Sequence, residues 1–193
     1  MIEERLRVPR TLSEIDAIRE HIERAAAAND GDRPFDRAET ERVIGTLFDA
    51  LERGEVRAAE RDSNGRWRAI EWVKTGMLLA YRVSDMVEMG HVDGGAFRFF
   101  DRRLFLPRDL SLADGIRIVP GGSIVRRGAY VAPGVICMPP MLVNLGAHIG
   151  TGTTIDSHAL VGSCAPALRC TRSPTCAQEP TSACESIVVP VPM

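Results

Sequence analysis

Few side chains between Val119 and Ala165 can carry chemistry, and most of them fall on a period. They are Cys137, His148, Asp156, His158 and Cys164, with Arg117 just ahead of the stretch. Imidazole, carboxylate and thiol are the groups that general-base and nucleophilic chemistry draw on. His148 and His158 stand ten residues apart, which is not a whole number of sixes. They therefore miss the fixed coil columns that a histidine-built metal site would need, and His148 reads as a solvated histidine. Asp156 shares its column with Asn144, Gly150 and Gly162, so by pattern it is a corner residue. His158 stands where five other repeats have Gly. Cys137 takes an inward column and reads as a small core residue. Cys170, Cys176 and Cys184 follow at spacings that match no zinc pattern, and CxxC is absent. Neither a metal site nor a disulfide framework is expected.

The period is six. Val119, Val125, Val131, Cys137, Val143, Ile149, Ile155 and Val161 open eight hexads, and a second, mostly small column follows four positions on, from Ser123 to Ala165. The fourth column holds Gly at 122, 128, 134, 146 and 152, with Pro140, His158 and Cys164 as exceptions. Neither a helical nor an alternating pattern accounts for this spacing; a hexapeptide β-helix does. Each turn then points one large and one small group inward, and no coil buries its core alone. Gly in the fourth column, and the Asn, Asp and Gly of the second, suit left-handed corners.

Three helices precede it. Thr11 and Glu14 make a capping box for a helix over 12–28 with Ile15, Ile18 and Ile22 on one face. A second helix fits about 36–53, with Val43, Ile44, Leu47, Phe48 and Leu51 as its stripe and Gly54 as its stop. Segments 55–61 and 66–70 flank the turn Asp62-Ser-Asn-Gly65, a hairpin signal. Trp72 to Val83 reads as a short apolar helix, on which Lys74 and Arg82 could meet an anion but are more simply solvated. Phe97-Arg-Phe-Phe100 reads as a strand and 107–115 as a connector. The chain of 193 residues is 45% apolar and 26% charged, with a net charge of −2 and no basic block. Nothing in this points to nucleic acid, and no apolar run reaches the ~20 residues of a membrane helix. Met1 to Arg7 lacks the apolar core of a signal peptide, so a cytoplasmic protein is expected.

Several strings resemble one family. They are Asn64-Gly-Arg-Trp67, Trp72-Val-Lys74 with Leu78-Leu79, Ile116-Arg-Ile-Val-Pro120 and Val125-Arg-Arg-Gly-Ala-Tyr-Val131. Val143-Asn-Leu-Gly-Ala147 and Ile155-Asp-Ser-His-Ala-Leu-Val-Gly-Ser-Cys-Ala165 complete the set. In this order, over about residues 35 to 165, the chain resembles the tetrahydrodipicolinate N-succinyltransferases of lysine and diaminopimelate synthesis. The resemblance implies an α+β N-terminal domain at 1–110 and a left-handed parallel β-helix at 111–165. It also implies a homotrimer with active sites between neighbouring β-helices. The reaction implied is succinyl transfer from succinyl-CoA to the amine of the opened dicarboxylic substrate, with no metal. By the same resemblance Arg117 binds the dicarboxylate and Asp156 sits at the amine as the catalytic group. His158 is given no role by the family, although other hexapeptide acyltransferases use a histidine base.

After Ala165 the register stops. The 166–193 segment is rich in Pro, Ser, Thr and Cys and is expected to be a disordered tail outside the family pattern. A frameshift or truncation is the expected cause, and it would remove most of the family's CoA-binding region, which puts the activity of this chain in question. Two other readings stand beside the succinyltransferase: a hexapeptide acyltransferase with another acceptor, and a trimeric β-helix without catalysis.

Overall fold

A computed structural model describes residues 11–29, 36–92 and 97–162. The first three helices are α1 (Leu12–Asn29), α2 (Arg37–Glu52) and α3 (Glu71–Val83). The expected capping box is present: Thr11 N donates to Glu14 Oε2 at 2.7 Å and Glu14 N to Thr11 Oγ1 at 3.2 Å. Asp36 caps α2 by accepting from Glu39 N at 2.9 Å. The three helices pack on one another around Ile22, Ile44, Leu47, Phe48, Val73 and Val83. Gly76 is where α3 comes closest, since a Cβ there would lie 2.7 Å from Leu47 and 2.9 Å from Ile22. The buried residues of α3 are Val73, Gly76, Leu79, Ala80 and Val83, a helical i, i+3, i+4 stripe. Leu78 and Tyr81 lie outside it and stay about two-fifths exposed.

Between α2 and α3, β1 (Ala59–Arg61) pairs with β2 (Trp67–Ala69) as the expected hairpin. Asp62 holds its turn by accepting from Asn64 N, Arg66 N and Arg68 Nε. After α3 comes a second antiparallel pair, β3 (Met86–Val92) with β4 (Phe97–Arg102). The mixed segment expected from Gly90 onward is therefore the outer part of a ribbon that starts at Met86. Its pairing shifts between Glu88 and His91, which breaks the alternation that would mark a strand.

The repeat forms eight two-residue strands: β5 (Arg117–Ile118), β6 (Ile124–Val125), β7 (Tyr130–Val131), β8 (Ile136–Cys137), β9 (Leu142–Val143), β10 (His148–Ile149), β11 (Thr154–Ile155) and β12 (Leu160–Val161). All pair in parallel: β8 between β5 and β11, β9 between β6 and β12, and β7 with β10. From β6 onward each strand meets the one 18 residues later, so three hexads make one coil of a parallel β-helix. Val125, Val131, Cys137, Val143, Ile149 and Ile155 point inward and are buried, as are Ala129, Val135, Met141, Ala147 and Thr153.

Two expectations need correction. Ile118, not Val119, pairs with Cys137, so the first repeat is one residue longer than six. The extra residue falls in Val119-Pro-Gly-Gly-Ser123, where Gly121 (φ 138°) and Gly122 (φ 88°) take conformations that a Cβ resists. Val119 fits the period only because two apolar residues adjoin there. The second column also does not supply the left-handed corners. Of its members only Gly162 has positive φ; the fourth column carries them instead, and His158 joins its glycines at φ 64°.

Candidate functional site

Arg117 lies in β5, the first rung of the coil, and not in a connector ahead of it. Its N–H donates to Val135 O at 2.9 Å, and its partner in register is Ile136, which pairs in turn with Thr154. Arg117, Ile136 and Thr154 thus form one outward column, because Cys137 and Ile155 beside them are buried in the core, while Ile118, in register with these two at the open first rung, stays 38% exposed. Asp156 follows Thr154 by two residues and points outward on the same side. Two strand spacings and two residues separate the Cα atoms of Arg117 and Asp156, about 12 Å in all. Both side chains are exposed.

Asp156 does hold a corner. Its Oδ1 accepts from Ser157 N at 2.8 Å, and its carbonyl accepts from Ala159 N at 3.2 Å. Asn144 makes the same two bonds one coil-side earlier, to Leu145 N at 3.0 Å and Ala147 N at 3.2 Å. The carboxylate thereby does locally what an amide does elsewhere. Its other oxygen has no hydrogen-bond partner among the described residues. The Arg117 guanidinium makes no ion pair among them either. A free guanidinium and a half-committed carboxylate on one face can engage a molecule that carries both a carboxylate and an amine.

The remaining candidates lie elsewhere. His158 turns a corner, with its N–H on Pro140 O at 2.5 Å. His148 stacks on Tyr130, ring centroids 4.3 Å apart, on the β7–β10 side. Burial, with Arg57 nearby, lowers its pKa below the ordinary imidazole value. Cys137 is wholly buried in the coil core, and burial raises its thiol pKa, which makes it a poor nucleophile. Lys74 and Arg82 sit on α3, and no contact brings them to Arg117 or Asp156. Among the described residues no three His, Cys, Asp or Glu side chains gather as metal ligands would. Cys164, Ala165 and the 166–193 segment, with Cys170, Cys176 and Cys184, lie outside the described residues.

A role that the strings themselves did not disclose belongs to Val125-Arg-Arg-Gly128. Arg126 pairs with Asp101 of β4 at 2.7 Å, and Arg127 pairs with Asp49 of α2 and reaches Glu52 at 3.5 Å. Gly128 N donates to Glu52 Oε1 at 2.8 Å, while its Cα abuts Phe48 and Leu145. Leu145 leaves the coil and joins the helical core. This string clasps the coil to the helices, and so sets where the face bearing Arg117 and Asp156 points. The string marked the resemblance, but its two adjacent arginines gave no sign of which acids they would meet.

A family model matches the helical part of the chain. Residues 17–83 match the family model described as tetrahydrodipicolinate N-succinyltransferase N-terminal. Three relatives carry the name 2,3,4,5-tetrahydropyridine-2,6-dicarboxylate N-succinyltransferase. The one from Bradyrhizobium diazoefficiens is 34% identical over 81 residues, 42% of this chain and 28% of the relative. That from Rhodopseudomonas palustris is 35% identical over 82 residues, 42% and 29%. That from Paramagnetospirillum magneticum is 42% identical over 86 residues, 45% and 30%. The matched stretch spans less than a third of the length of each of these relatives. Over residues 17–83 this chain is thus similar to the N-terminal domain of the tetrahydrodipicolinate N-succinyltransferases.

Proposed function

We propose that the chain carries the acceptor half of a CoA-dependent N-succinyltransferase whose substrate is the opened form of tetrahydrodipicolinate. The observation that carries this reading is the register that sets Arg117 and Asp156 on one outward face. The names of the relatives supply the reaction. We divide the chain into a helical α+β domain to residue 110 and a β-helix from 111 to 165, and read the coil as left-handed. A cytoplasmic homotrimer is part of the same proposal, and so is the absence of a metal from the chemistry.

The mechanism follows from what the two side chains can do. The Arg117 guanidinium offers paired N–H donors that match one carboxylate of the substrate. It fixes the distance from that carboxylate to the amine. Asp156, with one oxygen tied to Ser157 N, presents the other to the amine. The amine must be neutral to attack, and the carboxylate takes the proton it sheds as the N–C bond forms. Succinyl-CoA supplies the thioester; its C–S bond breaks as the amide forms, and the thiolate leaves to be protonated. Asp156 and Arg117 are exposed in one chain, where water weakens both interactions. A neighbouring β-helix laid over this face would exclude that water. The column of Ile124, Leu142 and Leu160 on the adjacent β6–β9–β12 face supports such packing.

The test is free-thiol release from succinyl-CoA with an aminopimelate acceptor. Asp156→Asn is expected to lower kcat at least 100-fold, the ordinary contribution of a positioned base. Arg117→Gln is expected to raise the acceptor KM tenfold or more with a smaller change in kcat. Turnover that survives Asp156→Asn but fails in His158→Gln would favour a different hexapeptide acyltransferase. No turnover by a chain that still trimerises would favour a non-catalytic β-helix.

A further inference from the structure

A concavity lies on another face of the coil, where the β1–β2 hairpin meets the β7–β10 face. It is a cleft of about 190 Å³ lined by Arg57, Ala58, Ala59, Trp67, Gly146 and His148. None of these residues takes part in the site of Arg117 and Asp156, which lies on a different face of the coil.

The lining has a definite chemistry. Arg53 pairs with Glu55 and Arg68 with Asp62, but Arg57 between them has no ion pair among the described residues. Trp67 stands 58% exposed on a three-residue strand, where a core role does not account for it. A second cation, Arg61, lies over its ring at 5.1 Å from the centroid. The His148 ring is held in place by its stack on Tyr130, 18° from parallel. Its lowered pKa leaves it uncharged near neutral pH, with one N–H donor and one acceptor nitrogen. Gly146, Ala58 and Ala59 add no further polar side chain to the lining. The volume is below the ~300–1,000 Å³ typical of pockets for larger ligands, so a single ring suits it.

We propose that this cleft binds a small aromatic carboxylate. Arg57 takes the carboxylate through its paired N–H donors, the ring lies against the Trp67 indole, and His148 gives one hydrogen bond to the ligand's polar edge. The requirement for both charge and a flat ring distinguishes this site from a general anion site.

Benzoate titrated into the full ¹⁵N-labelled chain tests this. The chain has two tryptophans, hence two indole N–H resonances, which Trp67→Phe assigns. The Trp67 resonance is expected to shift to saturation while that of Trp72, packed against the helical core, stays still. Arg57→Gln, a change at an exposed residue, is expected to raise Kd at least tenfold. Cyclohexanecarboxylate, equal in charge but not flat, is expected to bind at least tenfold more weakly than benzoate. The proposal is overturned if the Trp67 shift does not saturate, if Arg57→Gln titrates like the unaltered chain, or if the two carboxylates bind alike. An unmoved Trp72 resonance in each variant shows that the fold is intact.

Discussion

His158 shows best how a residue of a type that does chemistry can also occupy a structural position. It interrupts a column of glycines, and its backbone adopts their left-handed conformation at φ 64°. A side chain there costs roughly 1–2 kcal/mol relative to the right-handed region. Glycine would remove that strain, at roughly 0.5–1 kcal/mol of extra chain entropy lost on folding. His158→Gly is therefore expected to leave stability level or raise it by up to ~1 kcal/mol. His158→Val is expected to lower it by more than ~1 kcal/mol, because a branched side chain fits that conformation worst. Urea midpoints of the three proteins check both signs, and a marked loss on His158→Gly would mean that the imidazole holds something in place. The glycine column was legible in sequence, and so was His158 as its exception. That His158 itself shares the conformation of those glycines became visible only with the backbone. Asp156 was legible as a corner in the same way. Its corner bonds are those of Asn144, so nothing local separates a catalytic carboxylate from a turn residue.

At the scale of elements, the parts with one strong local signal were legible and the parts set by pairing were not. Helices α1 and α2 declare themselves by caps and stripes, and the β1–β2 hairpin by Asp62-Ser-Asn-Gly65. In the ribbon β3–β4 the strand at Phe97-Arg-Phe-Phe100 was legible and lies within β4, but β3, where the pairing shifts between Glu88 and His91, was not. The extra residue in the first repeat was hidden because Val119 adjoins Ile118. The join between coil and helices depends on contacts across 76 to 78 residues of sequence, which no local pattern carries. Gly128 measures how tight that join is. A Cβ there would fall 2.2 Å from Leu145 Cδ1 and 3.4 Å from Phe48, at φ 73°. Gly65 has a similar φ of 76° and nothing within 4 Å. Gly65→Ala is thus expected to cost only the conformational penalty, about 1 kcal/mol. Gly128→Ala adds overpacking of about 1–3 kcal/mol to that. Equal urea midpoints for the two variants would show that the coil and α2 are not pressed together as described.

The whole molecule has three coil faces with different coverings. The β7–β10 face lies under the helical part, through α2 on β7 and Gly54 beside Tyr130 and His148. The β5–β8–β11 face carries Arg117, Ile136, Thr154 and then Asp156. The β6–β9–β12 face carries Ile124, Leu142 and Leu160 in register, with Ile124 41% and Leu160 50% exposed. An aligned aliphatic column on a rigid flat face buries apolar area efficiently against a like surface, at about 25 cal/mol per Å². It lies beside the face of the proposed acceptor site, so a neighbouring coil seated on it would also reach over Asp156. Leu142 is the middle rung, and Leu142→Glu places a charge where both partners would bury it. The expected outcome in sedimentation velocity is a concentration-dependent assembly that the variant reduces to monomer. The helical core lies elsewhere, so the variant's far-UV circular dichroism should be unchanged. If thiol release is observed, it should fall with the assembly and recover in part at high protein concentration. A Leu142→Glu chain that sediments as the unaltered one does would place any contact between copies on another face. It would also leave Arg117 and Asp156 open to water, and the acceptor-site reading would then lose its means of desolvating the carboxylate.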